Sequence, residues 1–279
     1  MPVRDFMELW DAVHRWDWFR RGQWLGNFRE GKRLLAASIA GVLKDLGLAE
    51  GLVLDCSCGL GFQAIVLREA GLRVHGADRG EFAVDRAREL ARDVGHEIDF
   101  FVSRWDELPA KTQFRFDAVF CDALSWLHTD EEMVAALRGL RGVLQAGGVL
   151  IFQGAPQGSD AADLRRDSED WWANVPSASL RWSHTEGAVS CTALSVPSRG
   201  DDYIDWRQLY LIDENGAKRL EHITLRESLR WNARRFTEMA RAAGFDCPVT
   251  RAVQAWSPGG RPAALNYAVP VGATAASSG

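Results

Sequence analysis

Residues 53–63, VLDCSCGLGFQ, place a carboxylate, Asp55, at the end of an apolar run and follow it with Gly59 and Gly61. The run reads as a strand, the glycines as a tight turn and the stretch after them as a helix. In such a turn a ligand approaches the backbone where a Cβ would collide. Gly59, Gly61 and Ala64 also fit the loose G-x-G-x-x-A spacing of dinucleotide-binding turns. Asp55 argues against a pyrophosphate there, because an acid four residues before the first glycine repels phosphate and suits a ligand with a cationic end. Asp78 ends the next strand, in HGADRG, about twenty residues after the loop. A carboxylate at that point can accept hydrogen bonds from both hydroxyls of a ribose.

These residues need a scaffold, and the hydrophobic rhythm describes one. Amphipathic spacing predicts helices up to about Arg20 and over Glu30–Leu46. From Leu52 strands and helices alternate: strands at Leu52–Asp55, Leu72–Asp78, Ile98–Val102, Phe116–Cys121 and Val149–Phe152, helices at Phe62–Ala70, Glu81–Val94 and from Thr129. Thr129 with Glu132 three residues later has capping-box spacing, and Val134, Leu137, Leu140 and Leu144 are expected to face the core. Helical stretches between strands imply right-handed crossovers and parallel pairing. After Gln153 the rhythm breaks. A helix near Asp163–Ala173 precedes segments at Leu180–His184, Val189–Val196, Tyr203–Ile212 and Arg219–Leu225, separated by turn pairs such as Asn215-Gly216, which read as an antiparallel meander. A helix over Trp231–Ala243 and a hairpin of Val249–Trp256 with Ala263–Val271 complete the pattern. The fold class is therefore α/β: a doubly wound, mostly parallel seven-stranded sheet, Rossmann-like, with an antiparallel closing hairpin and an inserted antiparallel β lid. Ordinary dinucleotide folds lack that hairpin.

The composition, 47% hydrophobic and 25% charged with a net charge of -5, is globular and offers no electrostatic footprint for nucleic acid. No apolar run reaches the length of a membrane span, and MPVRDFMELW lacks the regions of a signal peptide. Five cysteines without paired spacing fit free thiols in a reducing compartment, so a cytoplasmic location is expected. Cys56 and Cys58 lack the second pair that tetrahedral metal ligation needs, and no metal is expected.

The segment after the fourth strand carries a resemblance. Cys121-Asp122-Ala123-Leu124-Ser125-Trp126-Leu127-His128 keeps the cysteine, serine, aromatic and histidine spacing of the glycine N-methyltransferase-like group of class I S-adenosylmethionine-dependent methyltransferases. The likeness is clear over residues 20–155, where Arg104-Trp105 matches that group's asparagine and tryptophan beside the adenine. It implies S-adenosyl-L-methionine as cofactor and S-adenosyl-L-homocysteine as product. It also implies a cofactor site of Trp24, Arg29, Asp55, Ser57, Gly59, Gly61, Asp78, Arg79, Arg104, Trp105, Asp106, Cys121, Asp122 and Ser125, with Arg33 competing with Arg29 for the methionine carboxylate. The expected organisation is a helical lid at 1–47, a cofactor-binding core at 48–155, a substrate lid at 156–228, the rest of the core at 229–271 and a mobile tail at 272–279.

The glycine-methylating members carry an arginine after the fifth strand where this chain has Gly154. A glycine carboxylate buried there would lack its bidentate partner, so glycine is not the expected acceptor. Twelve tryptophans invite another choice. About two thirds are expected in packing, whereas Trp16, Trp18, Trp126 and Trp206, with Tyr203, are expected to line a pocket for a small-molecule acceptor with an aromatic or heterocyclic body. A nitrogen acceptor needs no strong base. An oxygen acceptor does, and His128 is then the candidate, although its spacing equally suits a residue holding the cofactor end of the helix. Two other classes stay open at this stage: an NAD-dependent oxidoreductase, and a non-catalytic S-adenosylmethionine-binding module. The sequence leaves the oligomeric state undefined.

Overall fold

The computed structural model describes residues 6–23, 29–153, 172–253 and 263–271. Along the chain come α1 (Phe6–Phe19), α2 (Arg29–Asp45), β1 (Leu52–Asp55), α3 (Phe62–Glu69), β2 (Arg73–Asp78), α4 (Glu81–Asp93), β3 (Asp99–Val102), a 3-10 turn (Trp105–Glu107), α5 (Leu108–Lys111) and β4 (Phe116–Cys121). A second 3-10 turn (Leu124–Trp126), α6 (Asp130–Val143), β5 (Leu144–Phe152), β6 (Ser179–Glu186), β7 (Val189–Arg199), β8 (Tyr203–Glu214), β9 (Ala217–Ser228), α7 (Ala233–Ala242), β10 (Val249–Val253) and β11 (Ala263–Ala268) follow.

Every residue of β1 is buried, as expected of a parallel strand covered on both faces. It lies inside a seven-stranded sheet ordered β10-β11-β5-β4-β1-β2-β3. The pairs among β1 to β5 are parallel, whereas β11 runs antiparallel to both β5 and β10. The closing hairpin is thus present, with 254–262 outside the described residues. Alternation along the strands divides the core. Val53, Ala118, Phe120 and Ile151 pack with Leu35, Ile39 and Leu43 of α2, Ile65 of α3 and Leu90 of α4. Leu54, Val119, Leu150 and Phe152 face Leu137 and Leu140 of α6 and Phe236 of α7.

Two details differ from the sequence reading. The buried face of α6 is formed by Met133, Leu137, Leu140 and Val143, while Val134 is only half-buried, one position off that stripe. Strand β5 begins at Leu144, which pairs with Phe116, and a register shift before Ala118↔Val149 absorbs Gln145–Gly148. The capping box is formed as expected, with reciprocal bonds between Thr129 and Glu132. The predicted helix near 163–173 falls almost wholly outside the described residues, as does the 272–279 tail.

Helix α6 holds the Trp105 turn at Gly139, where an added Cβ would lie 1.9 Å from the Trp105 carbonyl oxygen. Neither backbone can yield cheaply. Gly139→Ala is therefore expected to destabilise the protein by about 3 kcal/mol, the upper end for overpacking, measured by urea unfolding. An unchanged midpoint would contradict the close approach.

Strands β6 to β9 form a separate antiparallel sheet in chain order. Asn215 and Gly216 both take positive φ in the last turn, as the Asn-Gly pair predicts. Val13 of α1 packs with Trp182, Cys191, Ala193, Tyr210, Ile212, Ile223 and Leu225 on one face of this sheet. The same helix touches α4 of the core, so α1 joins the two sheets. Among the described residues no helix is long and apolar enough to cross a membrane.

Candidate functional site

The loop after β1 is held from both sides: the Cys56 N–H donates to the Phe120 carbonyl of β4 at 3.0 Å, and the Cys58 N–H to the Ala77 carbonyl of β2 at 3.0 Å. Gly59 and Gly61 take φ of +50° and +81°, a region that favours glycine. At Gly61 a Cβ would stand 2.9 Å from the Ala87 Cβ, so this glycine lets α4 close on the loop. Asp78 completes the frame. Its Oδ2 accepts from the Gly59 N–H and its Oδ1 from the Gly80 N–H, both at 2.9 Å. The glycine turn thus lies between the two acids, close enough for the Asp78 charge to act on Asp55.

Asp55 has the parity of Val53 and therefore faces the α2 side of the sheet. It is buried, and its Oδ2 has no hydrogen-bond partner. Desolvation, with the Asp122 and Asp78 charges adding to it, pushes its carboxyl up to about 8, while Lys32 and the Ser57 N–H act in the opposite sense. A buried carboxylate oxygen without a donor requires an explanation. An ammonium group of a ligand would supply both the donor and the opposing charge, which the amino-acid end of S-adenosylmethionine has and a pyrophosphate lacks. The residues present fit that group.

Around this point the structure gathers several expected residues. The Ser57 hydroxyl donates to Asp122 Oδ1 at 3.0 Å and lies 3.9 Å from the Cys121 sulfur, while Ser125 is buried in the following 3-10 turn. The Trp105 indole N–H donates to the Cys56 carbonyl at 2.7 Å, fastening its ring to the strand end. Asp106 pairs with Arg104 at 3.2 Å on the surface, and Arg79 is half-buried beside Asp78. Cys56 and Cys58 pack in different core clusters, and burial pushes both thiols up, which disfavours the nucleophilic thiolate.

Other expectations are redistributed. Arg29 and Arg33 both pair with Glu69, the last residue of α3. An eight-residue helix places that end roughly 12 Å from Gly61, so the Glu69 pairing draws Arg29 away from the loop. Lys32, on the intervening face of α2, is the cation that acts on Asp55, a residue the sequence reading missed because arginine was expected. Trp24 and Gly154 lie outside the described residues. His128 precedes the α6 cap, and its backbone N–H donates to Glu132 Oε2 at 2.9 Å.

Among the aromatic residues, Trp16 stacks on Tyr210 with centroids 5.6 Å apart, and Trp126 meets Trp10 edge-on at 5.3 Å. Trp16, Trp126 and Trp206 border the same cluster beneath the second sheet. Trp18 does not join them. Two residues along a helix turn about 200°, which sends Trp18 to the core side under Arg86 and Arg21. Tyr203 is separated from Trp206 by the period of two in a strand and instead lies under Arg226, 3.7 Å from guanidinium carbon to ring centroid. The helix α1 contributes residues the sequence did not single out. His14 Nε2 would be 3.2 Å from a Cβ at Gly59 and Asp11 Oδ1 3.2 Å from one at Gly80, so α1 covers the glycine loop directly. Their helical spacing of three was the available signal.

Residues 53–148 match the methyltransferase domain family. A glycine/sarcosine N-methyltransferase of Aphanothece halophytica is 30% identical over 54% of this chain and 52% of its own length. Glycine N-methyltransferase of Homo sapiens is 26% identical over 46% and 48% respectively. The chain spans about half the length of these curated relatives. Among solved structures, the sugar N-methyltransferase KedS8 from Streptoalloteichus is similar in fold, with a TM-score of 0.67 at 18% identity over 91% of this chain and 92% of its own. Residues 53–148 are thus a methyltransferase domain, and the strand order with its reversed β11 and the acid-glycine-acid segment resembles the class I S-adenosylmethionine-dependent methyltransferases, the glycine N-methyltransferase-like group among them.

Proposed function

We propose that this protein moves a methyl group from S-adenosyl-L-methionine to a nitrogen of a small molecule with an apolar, aromatic or heterocyclic body. The observation that carries the reading is the buried, partnerless Oδ2 of Asp55 beside a glycine turn tied to Asp78. When bound, the cofactor supplies an electrophilic methyl group on a sulfonium centre. Asp55 binds its ammonium end, Asp78 orients the ribose, and Gly59 and Gly61 give backbone access. Helix α1 and the β6 to β9 sheet then act as the lid that excludes water, which is the protein's main contribution with so reactive a donor, whereas α2, expected in the lid, packs into the core of the main sheet. Arg104, Trp105 and Asp106 are assigned to the adenine side, and Ser57, Cys121, Asp122 and Ser125 to the methionine and methyl side.

The nitrogen acceptor is favoured by the N-methylating relatives and by the indole rings under the lid, whose faces attract cationic nitrogen. Glycine is not expected, given Gly154. The free cysteines suit a cytoplasmic setting. The direct experiment compares S-adenosylhomocysteine with NADH by calorimetry, followed by methyl transfer from labelled cofactor to a panel of amines and phenols. Binding of the first ligand alone and transfer to amines are expected; NADH binding, or cofactor binding without transfer to any acceptor class, would overturn the reading. With an amine, His128→Gln is expected to lower kcat less than tenfold. A loss of a thousandfold would instead make His128 an essential base and favour an oxygen acceptor.

A further inference from the structure

Helix α1 presents different residues to two sides. Val13 and Trp16 pack on the second sheet. Asp11 and His14, three apart and so on a common side of the helix, face the other way, onto the loops after β1 and β2. His14 Nε2 lies 3.2 Å from the place of a Cβ at Gly59, and its Nδ1 is shut off from water with no hydrogen-bond partner. Asp11 Oδ1 lies 3.2 Å from the place of a Cβ at Gly80, and Asp78 Oδ1 lies 3.4 Å from that same point. Two carboxylates, one from α1 and one from the end of β2, thus converge on one glycine. Their bonding differs. Each oxygen of Asp78 already accepts a backbone N–H, from Gly59 or Gly80. Asp11 Oδ1 is buried and accepts nothing.

A buried acceptor without a donor requires an explanation, and its place decides which donor answers it. The ammonium end assigned to Asp55 lies beyond the glycine turn, and the adenine is assigned to the side of Trp105. What lies against Asp78 is the ribose, whose neighbouring hydroxyls offer two O–H donors to two carboxylates. An ionised acceptor makes such bonds short and strong. We infer that Asp11 binds the cofactor's ribose from the lid side, taking one hydroxyl while Asp78 takes the other. Helix α1 then closes on the cofactor through a direct bond, with His14 roofing the turn beside it. This inference rests on the methyltransferase reading above and adds a binding residue to its site.

The test measures, by calorimetry on the whole protein, binding of S-adenosylhomocysteine, of 5′-methylthioadenosine and of the latter's 2′-deoxy and 3′-deoxy forms. Methylthioadenosine lacks the amino-acid end, so Asp55 does not enter the comparison. Alanine suits a helix interior, and Asp11→Ala is expected to leave the melting temperature of the free protein unchanged. It is expected to weaken S-adenosylhomocysteine and methylthioadenosine about tenfold, equivalent to about 1.4 kcal/mol. With at least one deoxy form the loss on substitution is expected to shrink to less than about twofold, because the hydroxyl that Asp11 holds is gone. Asp11→Asn keeps the shape and one acceptor oxygen. It is expected to lose less affinity with the same pattern among the probes, which covers the case of a poorly folded Ala variant. Full affinity in either folded variant overturns the inference. So does an equal loss for methylthioadenosine and both deoxy forms, the mark of a residue that only shapes the helix. Failure of S-adenosylhomocysteine and methylthioadenosine to bind the unaltered protein is a separate result: it removes the methyltransferase reading and this inference with it.

Discussion

Affinity for S-adenosylhomocysteine is expected to rise about tenfold per pH unit between about 6 and 8 and to level off above that. In the free protein burial holds the Asp55 carboxyl at about 8, so near neutrality it retains a proton. An ammonium group placed on it favours the carboxylate, lowers that value and releases the proton on binding. Below about 8 each pH unit therefore costs a factor of ten in affinity, about 1.4 kcal/mol; above it the carboxylate is already present. Calorimetry in buffers of different ionisation enthalpy should show about one proton released per ligand at neutral pH. Asp55→Asn should flatten the profile and weaken binding at least hundredfold at the alkaline end, as expected when one partner of a buried charge pair is removed. No proton release, together with full affinity in the Asn variant, would show that Asp55 does not meet the ligand's amine. The same shift acts on stability in the free protein. The folded chain holds a proton that the unfolded chain loses near pH 4, so this group's contribution is complete below about 4 and is lost as pH rises through about 8.

Asp78→Ala is expected to weaken the same ligand about hundredfold while leaving the protein folded. One substitution removes the acceptor assigned to the ribose and the acceptor of the Gly59 and Gly80 N–H groups. Two lost charge-assisted hydrogen bonds, at about 1.5–3 kcal/mol each before water replaces them, account for that size. Asp78→Asn can still accept with one oxygen and should fall between. Calorimetry and a thermal melt separate binding from folding, and an Ala variant with unaltered affinity would remove Asp78 from the site.

What the sequence discloses here follows how local each signal is. Asp55, Gly59 and Gly61 lie within seven residues, and a strand-turn-helix unit fixes their geometry, so that part of the groove is readable from composition and order alone. Asp78 follows from a single crossover. The four-stranded meander was legible because its turns carry their own chemistry, notably Asn215-Gly216. Residues expected to share a pocket are not brought together wherever their placement depends on the phase of an element against a distant neighbour. Trp16 and Trp18 look equivalent in sequence, yet the helical turn sends one to the second sheet and the other to Arg86. Tyr203 and Trp206 differ by an odd number of strand positions and so take opposite faces. Arg29 was assigned by its charge, but Glu69, forty residues away, determines where it points.

The central claim is spatial, and a crystal structure of the protein with S-adenosylhomocysteine tests it most directly. The account predicts the ligand's amino nitrogen within hydrogen-bonding distance of Asp55, its ribose hydroxyls on Asp78 and its sulfur turned toward the Leu124–Trp126 turn. A nucleoside bound elsewhere, or one that leaves the Asp55 carboxylate buried and unpaired, would contradict it.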